Sequence, residues 1–340
     1  MIEVVDLTRT FRGAGGLFAQ SDVRALRKVS LKVERGAALG LIGESGCGKT
    51  TLGRIVCGLE TFDGGDLLID NQSVKTLGDR ARRKAFRKVQ LIHQDPYSAL
   101  NPTRDIAHAL IDPLRIQAGL TRRDQAWVKR RAMELLSLVG LDPQETLYKF
   151  PHQLSGGQRQ RVVIARALTV EPEALIADEA VSMIDVSLRL GVLHLLATLR
   201  RELNLAIVLI THDVAAARYV AHDGELAVIY KGEIVEQGKT DQIISRPVHP
   251  YTQALLSAVP VLRGLEVEGP DRYIPEPEVQ DQGLEPVGCL FSTRCVFADE
   301  HCRGHHPDLS KWGDGDRLMA CFKPQERRVV AVAVDATRQA

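Results

Sequence analysis

The chain has 340 residues, room for one large domain and a smaller one, and its composition is ordinary for a globular protein. Lys and Arg number 44 against 43 Asp and Glu, and a net charge of +1 leaves no electrostatic case for a nucleic-acid partner. No apolar run approaches the roughly 20 residues that span a bilayer, and Met1–Asp6 lacks a signal-peptide pattern, so the expected location is cytoplasmic, with any membrane role reached through a partner.

In chain order, strands are expected over 2–10, from Ile2, Val4, Val5 and Leu7, and over 23–33, from Val29, Leu31 and Val33. Arg12–Gly16 between them reads as a flexible loop. Phe11 closes the first strand; it suits either stacking on an adenine ring or anchoring the loop, and spacing does not separate the two. Ala37–Ile42 is an apolar run of strand length, and Thr51–Leu59 is apolar at helical spacing. Between these lies Gly43-Glu44-Ser45-Gly46-Cys47-Gly48-Lys49-Thr50, which fits the phosphate-binding pattern G-x-x-x-x-G-K-[ST] in its strand-to-helix context. Glycines let the backbone turn tightly and aim its N–H groups at an oxyanion, and the helix start adds its positive dipole end. Lys49 is placed to reach the β- and γ-phosphates of ATP, and the Thr50 hydroxyl, beside Thr51, to ligate Mg²⁺.

Further on, Gly65–Asp70 reads as a strand, and the basic run 79–88 as a solvated helical face. Val89–His93 reads as a strand leading to Gln94. Residues 105–150 carry a helical pattern, broken at Asp112-Pro113 and at Leu141-Asp142-Pro143. They form part of a helical insertion, about 95–168, within a strand-rich domain. A helix is expected from Leu154–Gln158 to about Thr169, a strand over Leu175–Glu179, a helix over Leu188–Leu203 and a strand over Ala206–Ile210 leading to His212. A hairpin turns at Lys231-Gly232. The alternation argues for an α/β core. An apolar strand ending on Asp178-Glu179 supplies the second half of an NTPase site: Asp178 for Mg²⁺, and Glu179 as the base or water-orienting group. Residues 263–288, rich in Pro, Gly and acidic side chains, read as a linker between a nucleotide-binding domain over 1–262 and a cysteine-rich module over 289–340. That module holds Cys289, Cys295, Cys302 and Cys321, four of the six cysteines, and in a reducing cytoplasm they read as metal ligands before disulfides.

Leu154-Ser155-Gly156-Gly157-Gln158 matches the LSGGQ signature, and with the phosphate loop, Gln94, Asp178-Glu179 and His212 in order, the chain resembles the ABC-type ATPases. The resemblance implies a P-loop NTPase core with an antiparallel β subdomain. It also implies a head-to-tail dimer, in which ATP sits between one subunit's phosphate loop and the other's signature. Lys49 and Thr50 would then bind phosphates and Mg²⁺, with Gln94 near the metal or the attacking water. Ser155, Gly156, Gly157 and Gln158 would complete the partner's site, Glu179 would activate water, and His212 would bind the γ-phosphate. One departure stands out: the usual DEPTSALD reads here Asp178-Glu179-Ala180-Val181-Ser182-Met183-Ile184-Asp185.

Gln94–Pro102, His249–Leu256 and the terminal cysteines narrow the resemblance to the ATP-binding subunits of oligopeptide/dipeptide importers, over essentially all the chain. This implies a second ATPase subunit, identical or paralogous, two transmembrane permeases near Tyr97–Pro102, an extracytoplasmic solute-binding protein, and a peripheral place on the cytoplasmic membrane face. Oligosaccharide or nickel remains an alternative cargo. A soluble ABC protein of translation or DNA repair fits less well, since the chain has one ATPase domain and no coiled-coil insertion. Some such subunits bind a [4Fe–4S] cluster through spacing like the C-x5-C-x6-C-x18-C seen here. Zinc is the alternative, with His301, His305 and His306 close by, and four free thiols the remaining reading.

Overall fold

The computed structural model describes residues 1–12, 22–118, 125–258, 287–313 and 315–327. Most of the expected glycine loop, nearly all of the expected linker and the end of the cysteine module lie outside these residues.

The first part of the chain forms β1 (Ile2–Phe11), β2 (Val23–Val33), β3 (Ala38–Ile42), α1 (Lys49–Val56), β4 (Gly64–Ile69), β5 (Gln72–Ser73), α2 (Asp79–Arg87) and β6 (Val89–Ile92). The helical insertion follows as α3 (Pro96–Ala99), α4 (Ile106–Ala118), α5 (Gln125–Leu138), α6 (Pro143–Thr146) and α7 (Gly156–Leu168). The chain returns through β7 (Ala174–Asp178), α8 (Val186–Leu203), β8 (Ala206–Thr211), α9 (Val214–Ala221), β9 (Glu225–Tyr230), β10 (Glu233–Lys239), α10 (Thr240–Ser245) and α11 (Pro250–Ser257). The cysteine-rich segment contributes α12 (Glu300–Gly304), β11 (Ser310–Lys311) and β12 (Leu318–Met319).

Among the described residues two sheets organise the fold, one antiparallel in the order β2-β1-β4-β5 and one mixed in the order β11-β12-β10-β9-β3-β8-β7-β6. In the mixed sheet β9, β3, β8, β7 and β6 run parallel. Its central strands β3, β7 and β8 are buried along their whole length, as expected of a parallel sheet covered on both faces. Alternation then sorts their side chains. Ile176, Val208 and Ile210 join a core with α1 and the antiparallel sheet. Leu175, Ala177, Ile207 and Leu209 join a core with α4, α5, α7 and α8.

Pro113 does not break its helix as the sequence leads one to expect; α4 runs through it to Ala118. Ile106, Leu110 and Leu114, spaced by four, are 0–2% exposed in the insertion core. Their burial outweighs the one backbone hydrogen bond that proline removes. Asp142 does start a new helix, accepting from the N–H groups of Gln144 and Glu145 at 2.8 and 3.0 Å. The substituted residues after Glu179 have a packing reason: Ala180, Val181 and Ile184 are 1–4% exposed in the insertion core. Met183 alone of the four points outward, 58% exposed.

The cysteine-rich segment is built onto the core sheet. β12 pairs antiparallel with β10 through Glu236↔Met319 and Gln237↔Leu318. Phe291 packs its ring 5.3 Å from Tyr230 and 5.5 Å from Tyr251. His306 is drawn to the start of β10, its Nε2 2.7 Å from Glu233. That hydrogen bond raises the imidazole above its ordinary range, so this contact stabilises the fold fully below about pH 6.5 and loses its effect as pH rises through the raised value. An NMR titration is expected to place His306 above a free histidine, and Glu233→Gln to bring it back; an unchanged midpoint in that variant would refute the pairing.

Candidate functional site

Register brings the site together. In the parallel ladder Ile42 lies opposite Thr211, Ile210 opposite Asp178, and Ala177 opposite Ile92, so the four strands end nearly level. The segments leaving these ends are the glycine loop after β3, His212 after β8, Glu179 after β7 and Gln94 beyond β6. A crevice outside the carboxyl ends of parallel strands is where α/β sheets bind ligands.

The loop is shaped by close approaches. A Cβ on Gly43 would lie 2.2 Å from the Ile229 carbonyl oxygen, and one on Gly48, at φ 104°, 2.2 Å from that of Ala25. Cys47, buried, accepts at its carbonyl from Gly232 N–H at 2.9 Å, and burial pushes its thiol up. Ser45 and Gly46 are exposed at the tip, and no side chain caps the start of α1, so its first N–H groups are open to an anion. Lys49, 6% exposed, donates to the carbonyls of Gly43 and Glu44 at 2.8 Å each. The Thr50 hydroxyl donates to Asp178 at 3.1 Å, while Thr51 is half-buried behind it.

Asp178 is 7% exposed; burial holds its carboxyl above the usual range, helped by the neighbouring charge of Glu179 and opposed by the Thr50 hydrogen bond. A hydroxyl and a carboxylate side by side are the hard oxygen donors that Mg²⁺ takes, so this pair fits the ion. Glu179 follows in a left-handed conformation, φ 48°, with its N–H bonded to the Ile210 carbonyl at 2.9 Å. Such backbone strain in a non-glycine residue is typical of functional sites, at about 1–3 kcal/mol. Its carboxylate lies 2.9 Å from Nδ1 of His212 and is 15% exposed, whereas His212 is 61% exposed. Gln94 is exposed at its strand end. Phe11, on β1, pairs with Val23, two residues before the Ala25 carbonyl that packs on Gly48, and carries Arg9 4.8 Å from its ring centroid.

The signature stands apart from this group. Ser155 caps α7, accepting from Gln158 N–H at 3.3 Å while Gln158 Oε1 accepts from Ser155 N–H at 2.9 Å. Gly156 has open space around its Cα, and Gly157 packs against Leu188. Among the described residues no hydrogen bond or ion pair joins Ser155–Gln158 to Gly43–Thr51.

Residues 26–182 match the family described as ABC transporter, and residues 235–302 the one described as oligopeptide/dipeptide transporter, C-terminal region. The chain is 41% identical over 326 residues to a putative peptide import ATP-binding protein of Brucella abortus, covering 94% of this chain and 93% of that one. It is 40% identical over 326 residues to the di/tripeptide transport ATP-binding protein of Pseudomonas aeruginosa, covering 94% and 97%. The chain belongs to the oligopeptide/dipeptide branch of the ABC transporter family. Among solved structures, a dimeric ATP-binding cassette in a post-hydrolysis state with ADP and phosphate superposes with a TM-score of 0.60 at 28% identity, covering 71% of this chain and 99% of that one. The fold is therefore that of the ABC ATPases, and the chain is an ABC-type ATPase. No helix among the described residues is long and apolar enough to cross a membrane.

The expected metal centre of this ABC subunit finds no support in the arrangement of its ligands: among the described residues no group of three or more His, Cys, Asp or Glu is placed to hold a metal ion. The four thiols do line one cavity of about 20 Å³, with His249. Burial pushes the thiols of Cys289 and Cys321 up to about 11 and 12, and that of Cys295 up as well. The three histidines that kept zinc in view do not line it. His301 and His305 stack on each other at 4.3 Å, and His306 goes to Glu233.

Spacing also gave no hint of two loop contacts. Arg294 forms a bidentate pair with Glu44, and Tyr251 accepts from the Glu44 N–H at 2.8 Å. Tyr251 stood within a family motif, but nothing local marks Arg294.

Proposed function

We propose that this ATPase energises import of peptides across the cytoplasmic membrane, bound peripherally on its cytoplasmic face to two permease subunits that are loaded by a solute-binding protein. The observation that carries the cargo is likeness over nearly the whole chain, terminal segment included, to proteins named for peptide or dipeptide import. Reconstitution with candidate permeases in vesicles tests it: ATP-dependent uptake of a labelled dipeptide is expected, whereas uptake of nickel or an oligosaccharide alone would reassign the cargo.

In the reading proposed for the site, Gly43–Thr51 cradle the ATP phosphates and Phe11 stacks on the adenine. Lys49 leaves the carbonyls of Gly43 and Glu44 for the phosphate oxygens. Thr50, Gln94 and Asp178 hold Mg²⁺, which neutralises phosphate charge when bound. Glu179 takes the proton of the attacking water, and its contact with His212 keeps both side chains turned toward the γ-phosphate. Ser155–Gln158 serve the partner's nucleotide, which the separation of signature and loop within one chain supports. The active unit is thus a head-to-tail pair of ATPase subunits, and an isolated monomer binds ATP but hydrolyses it poorly.

For the terminal segment we propose a structural [4Fe–4S] cluster on Cys289, Cys295, Cys302 and Cys321. The support is chemical: the four thiols line one cavity, and the Lys323 N–H donates to the Cys321 sulfur at 3.4 Å. Anaerobically purified protein is expected to be coloured, with about four irons per chain. Colourless protein with stoichiometric zinc would replace the cluster by zinc, and metal-free protein would leave free thiols.

A further inference from the structure

The loop that holds the phosphates is fastened from outside by a residue 250 positions away. Arg294 Nη1 donates to Glu44 Oε2 at 2.9 Å, and Nη2 to Oε1 at 3.0 Å. The arginine side chain is only 10% exposed, against 40% for the glutamate, and its guanidinium lies 5.6 Å from the Phe291 ring centroid and 5.9 Å from that of Tyr230. Both rings are 1% exposed, so the cation sits on a rigid aromatic floor. The same floor holds the Glu44 backbone, since Tyr251, fully buried, accepts its N–H at 2.8 Å. Glu44 is therefore gripped at both peptide and carboxylate, and the Glu44 carbonyl is one of the two on which Lys49 rests.

We infer that Arg294 is a positioning residue for the phosphate loop, and that through Glu44 it couples the cysteine-rich segment to nucleotide binding. This rests on the reading of Gly43–Thr50 as that loop. A loop already held in its binding shape loses less conformational freedom when the triphosphate arrives. A planar guanidinium fork fixes a carboxylate in two directions, which an ammonium cannot. Linkage makes the coupling reciprocal: whatever Arg294 adds to nucleotide affinity, bound nucleotide returns as order in the segment that carries Arg294.

Titration of the full chain with a fluorescent ATP analogue, alongside steady-state kinetics, tests this. Arg294→Ala is expected to raise Kd and KM about tenfold while kcat at saturating ATP holds. Glu44→Gln should reproduce that loss, the double variant should be no worse than either single one, and Arg294→Lys should fall between wild type and Arg294→Ala. Hydrogen exchange at residues 289–295 should slow on adding ADP to wild type and not to Arg294→Ala. A wild-type Kd in Arg294→Ala, or strictly additive losses in the double variant, would overturn the inference. Failure of the unmutated chain to bind nucleotide would instead remove the phosphate-loop reading beneath it.

Discussion

Glu179→Gln is expected to keep ATP binding and to lower turnover by about 10²–10⁴-fold, the usual contribution of a positioned general base. The amide matches the carboxylate in shape and still reaches His212, now 2.9 Å from the acid, but it cannot accept a proton from water. The left-handed backbone at residue 179, φ 48°, and its N–H bond to Ile210 are unaffected, so the substitution separates chemistry from folding. Phosphate release after mixing with MgATP is the readout, with native gel filtration to detect the ATP-trapped dimer. Wild-type phosphate release would transfer the base role away from Glu179. Loss of nucleotide binding would make its role structural.

Arg317→Ala is expected to destabilise the fold by about 3–5 kcal/mol, because it strands a buried charge. Glu236 is fully buried and Arg317 is 9% exposed. Arg317 Nε donates to Glu236 Oε1 at 3.0 Å and Nη2 makes a further contact with the same oxygen, while Nη2 also reaches the Arg246 carbonyl at 2.6 Å. Among the described residues the carboxylate keeps two donors after the substitution, the N–H groups of Val248 and His249 at 3.0 and 3.1 Å. Because Arg317 immediately precedes β12, the loss should loosen the pairing that joins the cysteine-rich segment to β10. Urea unfolding gives the magnitude. The double variant Arg317→Met, Glu236→Gln should recover much of the loss, since a neutral buried pair carries no stranded charge. A shift in Arg317→Ala within about 0.5 kcal/mol, the range of ordinary surface substitutions, would show that Glu236 is already satisfied by the two backbone donors.

The Arg317 contact and the Arg294 contact meet in the way the C-terminal segment is attached. Arg317 and Glu236 fix β12 to the sheet, and Arg294 carries that attachment on to Glu44 and the phosphate loop. Weakening the first contact should therefore also weaken nucleotide binding, a dependence that Tyr251 and its hydrogen bond to the Glu44 N–H reinforce.

Three pieces of local geometry were legible in the sequence: the glycine loop between β3 and α1, the serine cap of α7, and the apolar strand that ends on Asp178 just before Glu179. In each, the geometry is made by contiguous residues: glycines where a Cβ has no room, a serine where N–H groups lack partners, and an apolar run that stops at a carboxylate. The sequence also determined the branch of the family, because the terminal segment carries its own motif. Contacts between residues distant in the chain, by contrast, emerge only in the folded molecule. Pro113 stays inside α4 because the buried face of that helix outweighs a local rule. Ala180, Val181 and Ile184 are core residues, a fact no motif comparison reveals. Glu236 with Arg317, 81 residues apart, and Glu44 with Arg294, 250 apart, carry no spacing signal, since an ion pair across a folded core depends on how sheet and loops are stacked. Local backbone chemistry is written in neighbouring residues, whereas burial and the pairing of distant charges exist only once the core has closed.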